Sequence, residues 1–97
     1  SGFASYCVVN AGIINLTKTL SKELLSDGIK VNAIIPTVTN TDRFRKTFTK
    51  DEQMEVKKAG KLGTPEEVAE MVYGVILDSS KTGEIIIDPR VYIGTKA

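Results

Sequence analysis

Residues 19–36, TLSKELLSDGIKVNAIIP, join the end of a helix to a buried strand and decide the fold class. Apolar residues at steps of four and three predict a long helix over residues 4–27. Gly28 supplies a left-handed stop. The apolar run at 31–35, ended by Pro36, is typical of a parallel strand covered on both faces. This order predicts an α/β fold. The helix residues expected to form one buried stripe are Val9, Ile13, Leu16, Leu20 and Leu24.

The second half of the chain predicts a crossover to another parallel strand. The polar segment 37–63 is read as a loop with short helices at 43–48 and 50–59, either a lid over a site or a solvated connection. Thr64, Pro65 and Glu67 form the capping-box pattern of a helix start. A strand at 84–87 ends before Pro89, and the connection is expected to be right-handed. The buried stripe of the last helix is expected to be Val68, Val72, Val75 and Ile76.

Composition excludes several classes of function. The 97 residues allow one small domain, and the formal net charge of +1 is spread along the chain, which argues against a nucleic-acid-binding face. No apolar run approaches membrane-span length, and no secretory signal is expected. Cys7 is the only cysteine and histidine is absent, so a disulfide within the chain and a Ser-His-Asp mechanism are excluded and a zinc site is not expected. A cytoplasmic protein fits best.

Several stretches, in order, resemble the C-terminal part of the short-chain dehydrogenase/reductase family. The family helix begins Tyr-x-x-x-Lys and continues Thr-x-x-Leu-x-x-Glu-Leu; Tyr6 stands at the tyrosine and residues 17–24 follow the second pattern. GIKVNAIIP resembles the family strand that leads to Pro-Gly, and Thr41 matches the threonine after it. The stretches KLGTPEEVA and TGEIIIDP resemble the later helix start and the last strand. The resemblance covers essentially the whole chain.

The resemblance implies the C-terminal portion of a Rossmann-type doubly wound parallel sheet, with residues 1–97 as a partial NAD(P)-binding domain. It also implies hydride transfer between NAD or NADP and an alcohol or carbonyl substrate. In the family, tyrosine is the general acid/base, lysine binds the nicotinamide ribose and lowers the tyrosine pKa, and an upstream serine holds the substrate oxygen. By position, the catalytic residues would be Tyr6 and Asn10, and the cofactor-binding residues would be Asn10, Pro36, Thr37, Thr39 and Thr41.

Asn10 is the main departure from the family pattern. Residues four apart on a helix share a face, so Tyr6 and Asn10 are expected to point into one pocket. An amide can hydrogen-bond ribose hydroxyls but carries no charge that would favour phenolate. With a pKa near 10, only about a thousandth of the tyrosine is phenolate at pH 7. We therefore expect this chain alone to be inactive.

Other departures concern the loops. Pro36-Thr37 replaces Pro-Gly, and Pro89-Arg90 replaces the Gly-Gly that follows the last strand and changes the chain's exit. The Gly-rich pyrophosphate loop and the family serine would precede Ser1, so the chain is expected to be about the last two-fifths of a family member. A plain turn is an equally good interpretation of Thr39 and Thr41. Asn32 is expected to make structural hydrogen bonds.

Two functions from different classes remain. One is a short-chain oxidoreductase, present as a fragment or degenerate form; the other is a catalytically silent relative that acts as an oligomerisation or scaffold module. In both, a homo-oligomer is expected through the Tyr6-bearing helix, and an isolated chain should expose a large apolar patch. An incomplete gene product is a third possibility. The oligomer side of the helix is expected to carry Ala11, Asn15, Lys18 and Lys22.

Overall fold

Helices and strands follow one another in the predicted order. The computed structural model describes residues 3–91, with side chains from residue 7 onward. Its elements are α1 (Phe3–Glu23), a 3-10 turn (Leu25–Asp27), β1 (Ala33–Ile35), α2 (Asp42–Thr47), α3 (Lys50–Lys58), α4 (Pro65–Leu77) and β2 (Ile85–Ile87). Each predicted element is confirmed within a few residues. The first helix ends four residues early, because its last turn tightens into the 3-10 turn before Gly28 at φ 72°.

The two strands form a parallel pair, as the sequence predicted. Ala33 lies opposite Ile85, and Ile35 lies opposite Ile87. Asn32 extends the pairing beyond the strands: its Nδ2 donates to the Lys81 carbonyl at 3.1 Å, and its Oδ1 accepts from the Glu84 N–H at 3.0 Å. The expectation that Asn32 has a structural role is therefore confirmed.

The predicted buried stripe on α1 is wrong for three of its five residues, whereas Leu20 and Leu24 are half-buried. Val9 and Leu16 are each 57% exposed, and Ile13 is 43% exposed. The helix instead buries Thr17 and Ser21, whose hydroxyls donate to carbonyls of their own helix, those of Ile13 and Lys18. The reason is that a sheet of two strands is too narrow to cover more than one side of the helix.

The stripe predicted for α4 is exposed at two of its four residues. Val72 is 41% exposed and Ile76 is 70% exposed, whereas Val68 and Val75 are half-buried. The buried apolar residues of the described chain are Ala33, Ile35 and Phe44. The expectation of extensive exposed apolar surface is thus confirmed. None of the described helices combines the length and hydropathy that a membrane span requires.

The two short helices between the strands form one packed unit. Phe44 is buried in α2, and its ring lies 4.7 Å from that of Phe48, centroid to centroid. Gln53 of α3 donates through Nε2 to the Phe48 carbonyl at 3.0 Å. Thr49 and Glu52 form a complete capping box at the start of α3. These contacts fix the helices against each other; their role as a lid stays a prediction.

Candidate cofactor site

The segment that follows β1 carries four of the predicted cofactor residues. Parallel strands of α/β folds place binding residues at their carboxyl ends, and residues 36–41 begin where β1 ends. Pro36 is half-buried and Thr37 is buried. The Thr37 hydroxyl donates to the Lys61 carbonyl at 2.6 Å, and the Thr39 hydroxyl donates to the Thr37 carbonyl at 2.8 Å. These two hydroxyls therefore shape the loop.

Thr39 is held in an extended conformation by an isolated parallel bridge to Gly63. The Gly63 N–H donates to the Val38 carbonyl at 2.7 Å, and the Asn40 N–H donates to the Gly63 carbonyl at 2.9 Å. Because alternate residues of an extended strand direct their peptide groups to opposite sides, the N–H and C=O of Thr39 face away from Gly63. Neither group has a hydrogen bond within the described residues. A donor and an acceptor are thus presented side by side.

The Thr41 hydroxyl is the N-cap of α2. It accepts a hydrogen bond from the Phe44 N–H at 3.2 Å and so caps the start of α2. Its proton is not used in any hydrogen bond within the described residues, so the hydroxyl can still donate to a ligand. The role of Thr41 that the structure shows is therefore that of a helix cap.

The threonine in place of the family glycine at position 37 is accommodated by a glycine across the bridge. A Cβ atom added to Gly63 would lie 2.9 Å from Cγ2 of Thr37, closer than real contacts allow. The Thr37 methyl therefore occupies the space that Gly63 leaves empty. This departure from the family pattern keeps the loop packed.

Asn10 lies on the α1 face that is turned toward the body of the chain. It is half-buried, and on the helix it precedes buried Thr17 and Ser21 by seven and eleven residues, which places all three on one side. Its carboxamide makes no hydrogen bond with another described residue. Tyr6 lies in α1, but its side chain is outside the described part, so the pairing of Tyr6 with Asn10 stays a prediction.

A charged cluster that the sequence did not predict lies beside the loop. Arg90 donates through Nε to Asp88 Oδ1 at 3.0 Å and through Nη2 to Asp88 Oδ2 at 2.8 Å. The same Nη2 lies 3.2 Å from Glu67 Oε1, and Nη1 donates to the Leu62 carbonyl at 3.4 Å. The signal in the sequence was an arginine at a family glycine position, two residues after a strand-end aspartate.

The cluster stabilises both carboxylates in their charged form. Hydrogen bonding to Arg90 lowers the pKa of Asp88. The Thr64 N–H, followed by Arg90, lowers the pKa of Glu67. A carboxyl whose pKa is lower in the folded state contributes stability above its unfolded pKa, about 4, and loses that contribution as the pH falls through the folded value. The cluster is therefore an acid-sensitive element.

We expect the melting temperature of the complete gene product to be steady above about pH 5 and to fall below it, partly because of this cluster. Glu67→Gln should lower the melting temperature at pH 7 and make its fall with acid shallower. Differential scanning calorimetry between pH 7 and pH 3 measures both. Glu70→Gln, a change at an exposed carboxylate on the same helix, is the control. An equal acid dependence in all three proteins would contradict the assignment.

The parallel sheet, its helical crossover and the loop at the end of β1 define the C-terminal portion of a Rossmann-type α/β protein. Residues 1–87 match the family model described as enoyl-(acyl carrier protein) reductase. Together with the relatives described next, this match shows that the chain belongs to the short-chain dehydrogenase/reductase family. The predicted family and fold are confirmed.

Three relatives illustrate the similarity. The 3-oxoacyl-(acyl-carrier-protein) reductase FabG of Rickettsia felis is 38% identical over 89 residues, which are 88% of this chain and 37% of the relative. A small-chain dehydrogenase solved with NADPH has a TM-score of 0.71 and 32% identity, over 86% of this chain and 40% of that one. An NADPH-bound short-chain oxidoreductase of Pseudomonas aeruginosa PAO1 contains an atypical catalytic centre. It has a TM-score of 0.67 and 25% identity, over 89% of this chain and 36% of that one.

Proposed function

We propose that the protein carrying this chain is an NAD(P)-dependent oxidoreductase that interconverts an alcohol and a carbonyl compound. The observation that carries the proposal is at Thr39, whose backbone N–H and C=O are adjacent, follow the end of β1 and make no hydrogen bond within residues 3–91. The family membership supports it, as does the 3-oxoacyl substrate, a carbonyl compound, in the name of the Rickettsia relative. Two of the solved structures that this chain resembles hold NADPH.

The Thr39 peptide suits the carboxamide of a nicotinamide ring. That carboxamide has one carbonyl acceptor and one amino donor, so it can accept from the Thr39 N–H and donate to the Thr39 C=O. The backbone is fixed by Gly63 and by the buried Thr37. A rigid pair of hydrogen-bonding groups orients a ring at small entropic cost. The nicotinamide would supply the hydride chemistry, and this loop would set which face of the ring meets the substrate.

Asn10 and Tyr6 would lie at the reacting end of the site. The carboxamide of Asn10 is half-buried and bonds no other described residue, which suits hydrogen bonding to ribose hydroxyls. Tyr6 would exchange a proton with the substrate oxygen, but Asn10 provides no charge that would lower its pKa. We therefore propose a slow enzyme, or one that takes the missing charge from elsewhere. The Pseudomonas aeruginosa relative also contains an atypical catalytic centre.

A proline at position 39 tests the proposed role of the backbone. Thr39→Pro removes the N–H, which bonds nothing among the described residues. We expect it to weaken NAD(P)H binding by the complete gene product about 3- to 10-fold, the effect of one lost hydrogen bond. Fluorescence titration measures the dissociation constant.

Thr39→Val is the matched control, because it removes the hydroxyl and retains the peptide N–H. Because the hydroxyl shapes the loop through the Thr37 carbonyl but does not contact the ring in this proposal, Thr39→Val should weaken cofactor binding less than Thr39→Pro does. If Thr39→Val weakens NAD(P)H binding strongly and Thr39→Pro does not, the backbone N–H is not the group that contacts the cofactor. A wild-type protein that binds neither NADH nor NADPH would reject the proposed function.

The second candidate is the catalytically silent oligomerisation module, favoured by the exposed apolar stripe of α1. Val9, Ile13 and Leu16 lie on one side of the helix and are 43–57% exposed. Ala11, Asn15, Lys18 and Lys22, the side expected from the sequence, are exposed too, but they offer less apolar area. The stripe is therefore the better association surface. Sedimentation velocity of the complete gene product should show an oligomer that Leu16→Glu dissociates; a wild-type monomer at micromolar concentration would reject this candidate.

A further inference from the structure

We propose that Arg90 is a positioning residue for the cofactor loop, the segment 36–41 that follows β1. Its guanidinium would fix the chain at residues 61–63 and, through Gly63, the Thr39 peptide that the proposed function assigns to the nicotinamide; the role in binding rests on that proposed function. Arg90 takes the place of a glycine in the family pattern, so the device belongs to this chain's own sequence.

The anchor of this device is the end of β2. Asp88 is only 7% exposed, and its N–H donates to the Ile35 carbonyl at 2.9 Å, which ties it to the end of β1. Both carboxylate oxygens of Asp88 accept from Arg90, at 3.0 and 2.8 Å. A bidentate pair of this kind fixes the plane of the guanidinium as well as its distance. The orientation of Arg90 is therefore set by the sheet.

The other donors of Arg90 reach Leu62, just before α4, and Glu67 in the first turn of α4. Nη1 donates to the Leu62 carbonyl at 3.4 Å, and Nη2 donates to Glu67 Oε1 at 3.2 Å. Glu67 also accepts from the Thr64 N–H at 2.8 Å as part of the capping box. Four of the five N–H groups of the guanidinium are thus used. One planar group holds together the end of β2, Leu62 and the start of α4.

Gly63 transmits the position of Leu62 to Thr39. Gly63 follows Leu62 directly and makes both bridge hydrogen bonds, to Val38 and from Asn40. A Cβ on Gly63 would lie 3.2 Å from Nη2 of Arg90 and 2.9 Å from Cγ2 of Thr37. The Arg90 guanidinium and the cofactor loop therefore both pack against Gly63. Loss of Arg90 would free the bridge without touching the strand pairing.

The test compares Arg90→Ala and Arg90→Lys with the wild-type complete gene product. Amide hydrogen exchange is followed at Gly63 and Asn40, the bridge donors, and at Ala33, whose N–H donates to Glu84 within the sheet. We expect Arg90→Ala to speed exchange at Gly63 and Asn40 about 10-fold or more, to leave Ala33 unchanged, and to weaken NAD(P)H binding about 5- to 10-fold. Arg90→Lys keeps the positive charge but loses the planar, bidentate guanidinium. Its exchange rates and its NAD(P)H affinity should therefore lie between those of the wild type and of Arg90→Ala.

Each outcome decides the proposal. Unchanged exchange at Gly63 and Asn40 in both variants, or equal acceleration at Ala33, would overturn it, since the second result means general destabilisation. If Arg90→Ala fails to fold, Arg90→Lys supplies the same comparison. If the wild-type protein binds no dinucleotide, the proposed function fails and the positioning of the loop is judged by exchange alone. Altered exchange with unaltered binding would overturn the link to the cofactor.

Discussion

Replacing Asn10 by lysine is expected to raise alcohol oxidation by the complete gene product about 10- to 1000-fold at pH 7. A cation within about 4–6 Å lowers the pKa of an acidic group by about 1–3 units, and each unit increases the phenolate fraction of Tyr6 about tenfold while the pKa stays above the assay pH. The half-buried Asn10 already faces the body of the chain and has no described partner to lose. NAD(P)H absorbance with a panel of simple alcohols measures the rate.

Asn10→Gln is the matched control, since it lengthens the side chain and keeps it neutral. It should leave the rate within a few-fold of the wild-type value. The pH profile separates the causes: the wild-type rate should rise toward pH 10, whereas the lysine variant should reach its plateau at lower pH. Equal rates and equal profiles in the three proteins would show that residue 10 does not act on the tyrosine.

Gly83→Ala is expected to reduce the free energy of unfolding of the complete gene product by about 2–4 kcal/mol. Two costs add. Gly83 has a φ of 73°, a left-handed conformation that disfavours alanine, and the new Cβ would lie 2.9 Å from Oγ of Ser21 on α1. The helix therefore approaches the start of β2 too closely for a side chain. Urea denaturation followed by circular dichroism measures the loss.

Gly28→Ala separates the two costs. Gly28 has almost the same φ, 72°, but nothing lies within 4 Å of its added Cβ, so only the backbone term of about 1 kcal/mol applies. Combining Ser21→Ala with Gly83→Ala should recover part of the loss, because the remaining Ser21 Cβ lies at an ordinary 3.5 Å. Equal losses for Gly28→Ala and Gly83→Ala would mean that the α1 contact contributes nothing.

The sequence predicted the elements well because their ends are set by neighbouring residues. Thr64 and Glu67 complete a capping box through bonds three residues apart, and Gly28 ends the first helical segment by its own φ. The apolar runs gave β1 and β2 because both are short and bounded by turn residues. These signals need no tertiary contact, so they can be read from the chain alone.

Which faces are buried could not be predicted in the same way. The stripe of Val9, Ile13 and Leu16 is apolar, yet the structure buries Thr17 and Ser21. Apolar periodicity reports where a partner is favourable, whereas burial depends on which partner is present, and two strands reach only one side of α1. The same reason leaves Ile76 of α4 exposed.

Some features of the candidate site could also be predicted from the sequence, and others depend on tertiary contacts. The sequence by itself determined the family pattern, including Asn10 at the lysine position and the threonines after β1, because identity and spacing are properties of the chain. Only the tertiary structure decided that the N–H and C=O of Thr39 have no hydrogen bond within the described residues, and that Arg90 joins Asp88 to Leu62. Arg90 and Leu62 are separated by 28 residues, and a contact over such a distance exists only after β2 has paired with β1.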